Sequence, residues 1–276
     1  MKFETFFKNG EILSIEQATA KLDDTAFTYG YGVYEALKIR NNVIYFPELH
    51  TQRLLKSASI IELKHDLTEN KILEYLNQFK KTIKEESYNF KILLIGNKEN
   101  NADFYILALA PLYPSANYYT QGVKTITYNG ERQFVQAKTL NMLMSYLAYK
   151  KAKEQNAYDA ILIDNQGNIR EGTRTNLLYI IDGQIYTPPI KTVLAGVTLI
   201  TLRVALKEKN LTIIEKELKK DELENCEIVM LTSTSAKVIP VTQINELKFE
   251  ITQLTKNIIE IYDNYLVDYK NKHIKA

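Results

Sequence analysis

Residues 158–181 of the chain read YDAILIDNQGNIREGTRTNLLYII, and the pattern of this stretch decides the fold. Its two apolar runs, 158–163 and 176–181, are rich in Ile, Leu and Tyr and predict β-strands. The four residues 164–167, Asp-Asn-Gln-Gly, have the composition of a tight turn between two strands. Strands joined as neighbours in this way are typical of an α+β fold rather than of an alternating βαβ sheet.

Further strands and helices are predicted on both sides of this stretch. The other strand runs are 3–8, 33–40, 43–46, 90–95, 103–110, 122–128, 184–186, 211–215, 227–232 and 237–242. Apolar positions at helical spacing predict helices over 48–62, 68–85, 141–155, 198–209 and 251–268. The dipeptides Asn41-Asn42 and Asp182-Gly183 are each expected to close a hairpin.

A domain boundary is predicted in the segment 111–116, Pro-Leu-Tyr-Pro-Ser-Ala. Two prolines three residues apart follow an apolar strand there, and proline interrupts regular structure. The sequence therefore predicts a small domain over 1–112, a linker over 113–119 and a larger domain over 120–276.

The composition excludes several classes of function. The 276 residues carry a net charge of +2 with acids and bases interspersed, so no basic face for nucleic acid is expected. One cysteine, Cys226, rules out an intramolecular disulfide, and three widely separated histidines (His50, His65 and His273) predict no metal site. No apolar stretch approaches the roughly 18 residues of a membrane span. Residues 1–8 lack a signal-peptide pattern, which predicts a cytoplasmic location.

Four segments carry residues suited to chemistry, although ordinary surface or turn roles explain each one taken alone. In the first, residues 46–54, His50 and Arg53 are three apart at a helix start and share one face. An arginine can bind phosphate through two parallel donors. In the second, residues 137–143, Lys138 precedes apolar residues at the mouth of a helix. This position is typical of the partly desolvated amine that an imine-forming lysine needs.

The other two segments contain polar loops. In residues 169–177, Glu171 ends one strand run and Asn176 starts the next, so the loop between them can present polar groups to a ligand. The fourth segment has two parts. Residues 194–198, Leu-Ala-Gly-Val-Thr, open a helix whose N-terminal amides favour a phosphate. Residues 231–236, Leu-Thr-Ser-Thr-Ser-Ala, place four consecutive hydroxyl side chains between two strands.

Together and in this order, the four segments resemble the fold-type IV enzymes that use pyridoxal 5'-phosphate (PLP). These are the D-amino-acid aminotransferases, the branched-chain aminotransferases and the aminodeoxychorismate lyases. The resemblance runs from 9–11 (Asn-Gly-Glu) to 238–241 (Val-Ile-Pro-Val) and includes 29–35, Tyr-Gly-Tyr-Gly-Val-Tyr-Glu. It implies a small α/β domain followed by a larger, barrel-like α/β domain with PLP between them. It also implies amino-acid and 2-oxo-acid substrates and a homodimer.

The resemblance assigns roles residue by residue. Lys138 matches the Schiff-base lysine, which also moves the proton between the substrate Cα and the cofactor. Glu171 matches the carboxylate that faces the pyridine nitrogen and keeps it protonated. Arg53 matches the phosphate arginine, and Tyr34 matches an aromatic residue of the substrate pocket. The positions that match the remaining phosphate contacts are Gly196, Val197, Thr198, Ser233 and Thr234.

The residue that binds the substrate carboxylate does not carry over. D-amino-acid aminotransferases place an Arg-x-His pair, and branched-chain enzymes a Tyr-x-Arg pair, on the strand expected at 90–96. This chain reads Phe-Lys-Ile-Leu-Leu-Ile-Gly there, so either a different cation meets the carboxylate or the substrate is unusual. Arg174, three residues after Glu171, is the predicted partner, and Lys38 is the second candidate. A structural or surface ion pair is the alternative role of Arg174.

Three functions are compatible with these residues. Transamination between a 2-oxo acid and an amino acid, either a D-amino acid or a branched-chain L-amino acid, is the prediction. The first alternative is an aminodeoxychorismate lyase, which releases pyruvate and 4-aminobenzoate with the same lysine. The second is a non-catalytic PLP-binding paralogue, although every residue expected to contact the cofactor is present.

Overall fold

The computed structural model describes residues 3–111 and 113–274, which form two compact units. The first unit comprises residues 3–111, 137–141 and 270–274, and the second comprises Tyr113–Gln136 and Met142–Tyr269. The boundaries predicted from sequence assign residues 137–141 to the second domain, whereas by its contacts this segment lies with the first unit. The predicted domain ends at 1, 112 and 276 lie outside the described residues.

The first unit is a six-stranded sheet with three helices. Its strands are β1 (Thr5–Lys8), β2 (Glu11–Ser14), β3 (Gly32–Arg40), β4 (Val43–Ile44), β5 (Tyr88–Gly96) and β6 (Ala102–Leu109). They lie in the order β2-β1-β6-β5-β3-β4, and every neighbouring pair is antiparallel. The helices are α1 (Thr25–Tyr29), α2 (Pro47–Ile60) and α3 (Glu69–Lys80), and a short 3-10 helix covers Ile15–Gln17.

Strict alternation along the strands gives this sheet one buried face and one partly open face. In β5, Tyr88, Phe90, Ile92 and Leu94 are fully buried, and the residues between them are half-buried. Helices α2 and α3 contribute side chains to the same core, among them Leu54, Ile72, Leu76 and Phe79. Burying such a side chain contributes about 1.5–3 kcal/mol, so the core fixes the register of β3 and β5. The open face is left for polar side chains.

The second unit is built on a nine-stranded mixed sheet. Its strands are β7 (Val123–Asn129), β8 (Asp159–Ile163), β9 (Ile169–Gly172), β10 (Asn176–Ile181), β11 (Gln184–Thr187), β12 (Ile213–Glu215), β13 (Ile228–Ser233), β14 (Lys237–Ile244) and β15 (Leu247–Lys248). Their order is β12-β11-β10-β13-β14-β7-β8-β9, with β15 paired to β14. The pairs β7–β8, β7–β14 and β11–β12 are parallel, and the others are antiparallel.

Four further helices follow in the chain. They are α4 (Asn117–Thr120), α5 (Leu143–Glu154), α6 (Val197–Lys207) and α7 (Gln253–Ile274), with 3-10 helices at Ile190–Thr192 and Lys220–Asn225. None of the helices in the described part of the chain is both long and apolar enough to cross a membrane.

The predicted hairpin turns are confirmed. Asn41 and Asn42 have φ angles of 51° and 60°, and Asp182 and Gly183 have φ angles of 50° and 69°. Such left-handed pairs match the twist of the strands that they connect. The turn at 164–167 is closed by the Gly167 amide, which donates to the Asp164 carbonyl at 3.0 Å.

Some elements differ from the prediction for local reasons. The strand predicted over 43–46 ends at Ile44, because Phe46 adopts a left-handed conformation (φ 52°) and Pro47 opens α2. Strand β2 was not predicted because most of its side chains are exposed and show no buried alternation. Helix α3 ends five residues before the predicted residue 85, and α7 continues six residues beyond the predicted residue 268.

Candidate active site

Lys138 lies on a short segment that pairs with β3. Thr139 forms an isolated antiparallel bridge with Val33, so Lys138 lies opposite Tyr34. The Tyr34 amide donates to the Lys138 carbonyl at 2.9 Å, and the Lys138 amide donates to the Ser57 hydroxyl at 3.0 Å. These bonds to a strand and to helix α2 fix the backbone of the predicted catalytic lysine.

The amine of Lys138 lies 4.4 Å from the centre of the Tyr34 ring. Residues opposite each other in an antiparallel pair project to the same face, which explains why these side chains meet. Both are half-buried. The contact brings together two of the predicted site residues, the proposed lysine and the proposed pocket aromatic.

A buried charged cluster lies on the other face of β3. The Glu35 carboxylate accepts hydrogen bonds from Arg53, at 2.6 Å from Nε and 2.8 Å from Nη2, and lies 2.7 Å from Nδ1 of His50. The Glu35 side chain is fully buried, and 10% of the Arg53 side chain is exposed. His50 and Arg53 therefore share one helix face, as the sequence predicted, and Glu35 is the group that joins them.

The charges in this cluster set the protonation of its members. Burial alone would raise the pKa of Glu35, but the charges and hydrogen bonds of Arg53 and His50 outweigh it and hold that pKa well below its usual range. For His50, burial dominates and lowers the pKa, although Glu35 opposes the shift.

Cations line the open face of the first sheet near Tyr34. Lys38 lies on the same face of β3, and its amine is 5.3 Å from the centre of the Tyr45 ring. Lys91 of β5 lies opposite Ala36, between Tyr34 and Lys38 along the strand, and is half-buried. Among the described residues none forms an ion pair with Lys91.

In the second unit, the Glu171 carboxylate accepts hydrogen bonds from several donors. Arg132 Nε donates to its Oε1 atom at 2.8 Å, while the Leu194 amide at 3.2 Å and Asn176 Nδ2 at 3.5 Å donate to Oε2. The Arg132 guanidinium also donates to the Val135 carbonyl, and 8% of the Glu171 side chain is exposed. A carboxylate bound in this way keeps a fixed orientation.

The start of α6 is tied to the same carboxylate. A Cβ atom at Gly196 would lie 1.8 Å from the side-chain oxygen of Asn176, so only glycine fits this position. Asn176 also donates to the Leu194 carbonyl at 2.7 Å. No side chain of the described residues caps the helix at Gly196, which leaves the first amides of α6, including those of Val197 and Thr198, for an anion.

The end of β13, next to the hydroxyl-rich turn, contains an orphan polar atom. The Thr232 side chain is 2% exposed, and its hydroxyl has no hydrogen-bond partner in the described structure. The next residue, Ser233, accepts a bond from the Ala236 amide at 3.2 Å, and Thr234 is half-buried. A buried hydroxyl without a partner is destabilising unless a ligand or water meets it.

Arg174 is exposed and stacks on an aromatic ring. Its guanidinium carbon lies 4.3 Å from the centre of the Tyr149 ring in α5. The neighbouring Thr173 and Thr175 hydroxyls donate to the buried Asp159 carboxylate at 2.5 and 3.0 Å. Burial raises the pKa of Asp159, and the hydrogen bonds and the charge of Arg174 oppose that shift.

Sequence reasoning missed Arg132 as the partner of Glu171 and Glu35 as the partner of Arg53. Arg132 lies 39 residues before Glu171 in a loop with no periodicity, so no local signal identifies the pair. Glu35 was detectable, because a glutamate at a buried position of an apolar strand implies a partner. The described residues contain no group of three or more His, Cys, Asp or Glu side chains that could hold a metal ion.

Comparisons with known proteins identify the family of the chain. Residues 32–244 match the family model of the class IV amino-transferases. The chain is 30% identical over 247 residues to a D-alanine aminotransferase from Bacillus licheniformis, covering 86% of this chain and 87% of the relative.

Two solved structures share the fold. A branched-chain amino acid aminotransferase from Escherichia coli superposes with a TM-score of 0.89 at 23% identity, covering 95% of this chain and 94% of the other. The PLP-bound form of a hypothetical aminotransferase from Mycobacterium tuberculosis gives a TM-score of 0.83 at 20% identity, covering 96% of this chain and 99% of the other.

Proposed function

Because the chain belongs to the class IV aminotransferases, we propose that Lys138 carries PLP and that the protein transfers an amino group between an amino acid and a 2-oxo acid. The observation that carries the proposal is the fixed position of Lys138. Its backbone is bound on both sides, and its amine faces the ring of Tyr34 at 4.4 Å. A lysine held in this way is pre-organised for covalent chemistry.

Features of the second unit fit PLP. The cofactor needs a carboxylate for its pyridine nitrogen and donors for its phosphate. Glu171 supplies an oriented carboxylate, the start of α6 supplies uncapped amides, and the orphan hydroxyl of Thr232 lies beside the turn that bears Ser233 and Thr234. When bound, PLP withdraws electrons from the substrate Cα.

The chain's own residues then have separate tasks. The Lys138 amine moves the proton taken from the substrate Cα. Arg132 orients Glu171, the carboxylate that would favour the protonated form of the pyridine nitrogen. Arg53, oriented by Glu35, is the proposed phosphate ligand of the first unit. The proposed phosphate ligands of the second unit are Gly196, Val197, Thr198, Ser233 and Thr234.

The proposed partner of the substrate carboxylate is Arg174, whose guanidinium offers two parallel donors and stays charged. Its rivals are Lys38 and Lys91, which share a sheet face with Tyr34. If Arg174 is the partner, Arg174→Ala raises the substrate KM about ten- to a hundredfold, or about 1.5–3 kcal/mol, with PLP retained. If the substrate KM rises only in Lys91→Ala or Lys38→Ala, that lysine on the sheet face binds the substrate carboxylate instead of Arg174.

The relatives favour transamination over the two alternatives. Both the D-alanine and the branched-chain relatives are named as aminotransferases, whereas the aminodeoxychorismate lyase reaction and a non-catalytic role have no such support. The proposed donor is either a D-amino acid or a branched-chain L-amino acid.

We also propose a homodimer in the cytoplasm. Support for association comes from α5, where Leu143 is 67% exposed, Tyr146 62% and Leu147 45% on one side of the helix. Contiguous exposed apolar side chains of this kind mark interaction surfaces. Sedimentation of the PLP-loaded protein should give twice the mass of the chain, and a single-chain mass would contradict the dimer.

Spectroscopy of the half-reaction tests the proposed function. The PLP-loaded protein should absorb in the visible range, lose that band with an amino donor and regain it with a 2-oxo acid. A panel of D-amino acids and branched-chain L-amino acids identifies the donor. Release of pyruvate from aminodeoxychorismate without an acceptor would identify the lyase instead, and an unchanging spectrum would identify an inert paralogue.

A further inference from the structure

Two neighbouring residues of α7 contact the two elements that are proposed to hold the phosphate. The Tyr262 phenol lies 2.9 Å from the Thr201 hydroxyl of α6. Asp263 Oδ1 lies 2.6 Å from the amine of Lys237, the last residue of the 233–237 turn. Neither α7 residue belongs to the residues proposed to contact the cofactor. Both contacts lie within the second unit.

The first contact reaches the opening turn of α6. The Thr201 hydroxyl also donates to the carbonyls of Val197 and Thr198, at 2.9 and 3.2 Å, and these residues supply the first amides of the helix. Tyr262 is 3% exposed, and burial raises the pKa of its phenol to about 12. The phenol therefore stays protonated and fixes the rotation of this turn through Thr201.

The second contact fixes a hairpin of unusual conformation. Lys237 follows the three-residue turn after β13 and has a φ angle of 58°, where glycine or asparagine is normally found. Its amine pairs with Asp263 and lies 5.1 Å from the centre of the Tyr119 ring, and the Tyr119 hydroxyl donates to the Ala236 carbonyl at 3.1 Å. The turn that carries Ser233 and Thr234 is thus clamped from α4 and from α7.

We propose that Tyr262 and Asp263 are positioning residues, through which α7 holds the start of α6 and the 233–237 turn in the geometry that binds the cofactor's phosphate. The inference rests on the proposed function, because it requires PLP as the ligand. Packed elements fixed by such contacts have little freedom to relax, so a lost contact shifts the donors that it supports.

Cofactor binding by the apo protein tests this role separately from activity. In Tyr262→Phe and in Asp263→Asn, we expect the PLP dissociation constant to rise about five- to twentyfold. Binding of pyridoxal, which lacks the phosphate, should stay within about twofold of the parent protein. Asp268→Asn, an exposed aspartate of the same helix, is the matched control and should leave both constants unchanged.

A double-variant cycle tests the ion pair itself. Lys237→Met should lose at least as much PLP affinity as Asp263→Asn, because it also removes the contact of the amine with the Tyr119 ring. Adding Asp263→Asn to Lys237→Met should cause no further loss, because the ion pair is already absent. Tyr262→Phe combined with either change should weaken PLP binding further, because Tyr262 acts on α6. If one variant fails to fold, as judged by its thermal melt, the others still decide the outcome.

Three results would overturn the inference. An unchanged PLP constant in variants with lowered thermal stability would show that the contacts only support the fold. If a variant loses affinity equally for PLP and for pyridoxal, the contact that it removes does not act on phosphate binding. If the parent protein binds pyridoxal through Lys138 but gains no affinity from the phosphate, the inference fails and the proposed function stands; if it binds neither, both fail.

Discussion

At the scale of single residues, the electrostatic part of the proposed chemistry depends on the Glu171 carboxylate. Its two oxygens receive hydrogen bonds from a guanidinium, a backbone amide and a side-chain amide. These hydrogen bonds limit the rotation of the carboxylate, so its orientation toward a ligand is fixed in advance.

Glu171→Gln should therefore leave PLP bound and slow the first half-reaction. The neutral amide does not stabilise a protonated pyridine nitrogen, so proton removal at the substrate Cα loses about 3 kcal/mol of stabilisation, or roughly a hundredfold in rate. Stopped-flow absorbance measures this rate. Glu250→Gln, at an exposed position, is the matched control. An unchanged rate would remove Glu171 from its proposed role.

Arg53→Ala should weaken PLP binding more than it slows the chemistry. A charge-assisted bond to phosphate contributes about 1.5–3 kcal/mol, which corresponds to a ten- to hundredfold loss of cofactor affinity. Equilibrium titration of the apo protein with PLP measures the loss, and Lys56→Ala on the same helix serves as the control. Equal PLP affinity in Arg53→Ala and the parent protein would contradict the assignment.

At the scale of elements, the strand pattern and the turn dipeptides were sufficient to predict most of both sheets. Alternation in β3 and β5 and the turns at 41–42 and 182–183 are local features, so the sequence contains them. The pairing of Thr139 with Val33 and the ion pair between Arg132 and Glu171 depend on which distant segments meet. For that reason the order of the motifs was sufficient to propose roles for Lys138 and Glu171. The sequence predicted neither the hydrogen-bond partners of Glu171 nor the placement of residues 137–141 in the first unit.

The β8–β9 turn should respond to acid. Burial opposes the shift, but hydrogen bonds from Asn168, Arg170 and Gln166 lower the pKa of Asp164 from 3.8 to about 2. A depressed carboxyl pKa stabilises the fold above the unfolded value, so this contribution, about 2 kcal/mol, is present above pH 4 and lost as the pH falls toward 2.

Urea unfolding between pH 2 and pH 7 measures that contribution. Asp164→Asn should lose about 2 kcal/mol near neutrality and show a smaller difference from the parent protein at pH 2. Asp221→Asn, on the exposed start of a 3-10 helix, should follow the parent curve. A constant difference between Asp164→Asn and the parent across this range would show that Asp164 contributes nothing through its charge.

At the scale of the whole molecule, the proposed chemistry draws on residues far apart in the chain. Tyr34, Arg53 and Lys138 lie in the first unit, and Glu171 and the phosphate-binding elements lie in the second. Their order along the sequence and the class IV family match over residues 32–244 support the proposal that they serve one function. Lys138 is the residue on which every other assignment depends, since it alone is proposed to bond covalently to the cofactor.

Covalent trapping tests Lys138 most directly. The PLP-loaded protein is reduced with borohydride, digested and mapped by mass spectrometry. We expect the pyridoxyl group on Lys138, and Lys138→Ala should retain no reducible cofactor. Lys91→Ala, which removes a half-buried lysine of the same unit, is the control and should be labelled at Lys138 like the parent protein. A pyridoxyl group on any other lysine, or none in the loaded parent protein, would contradict the assignment.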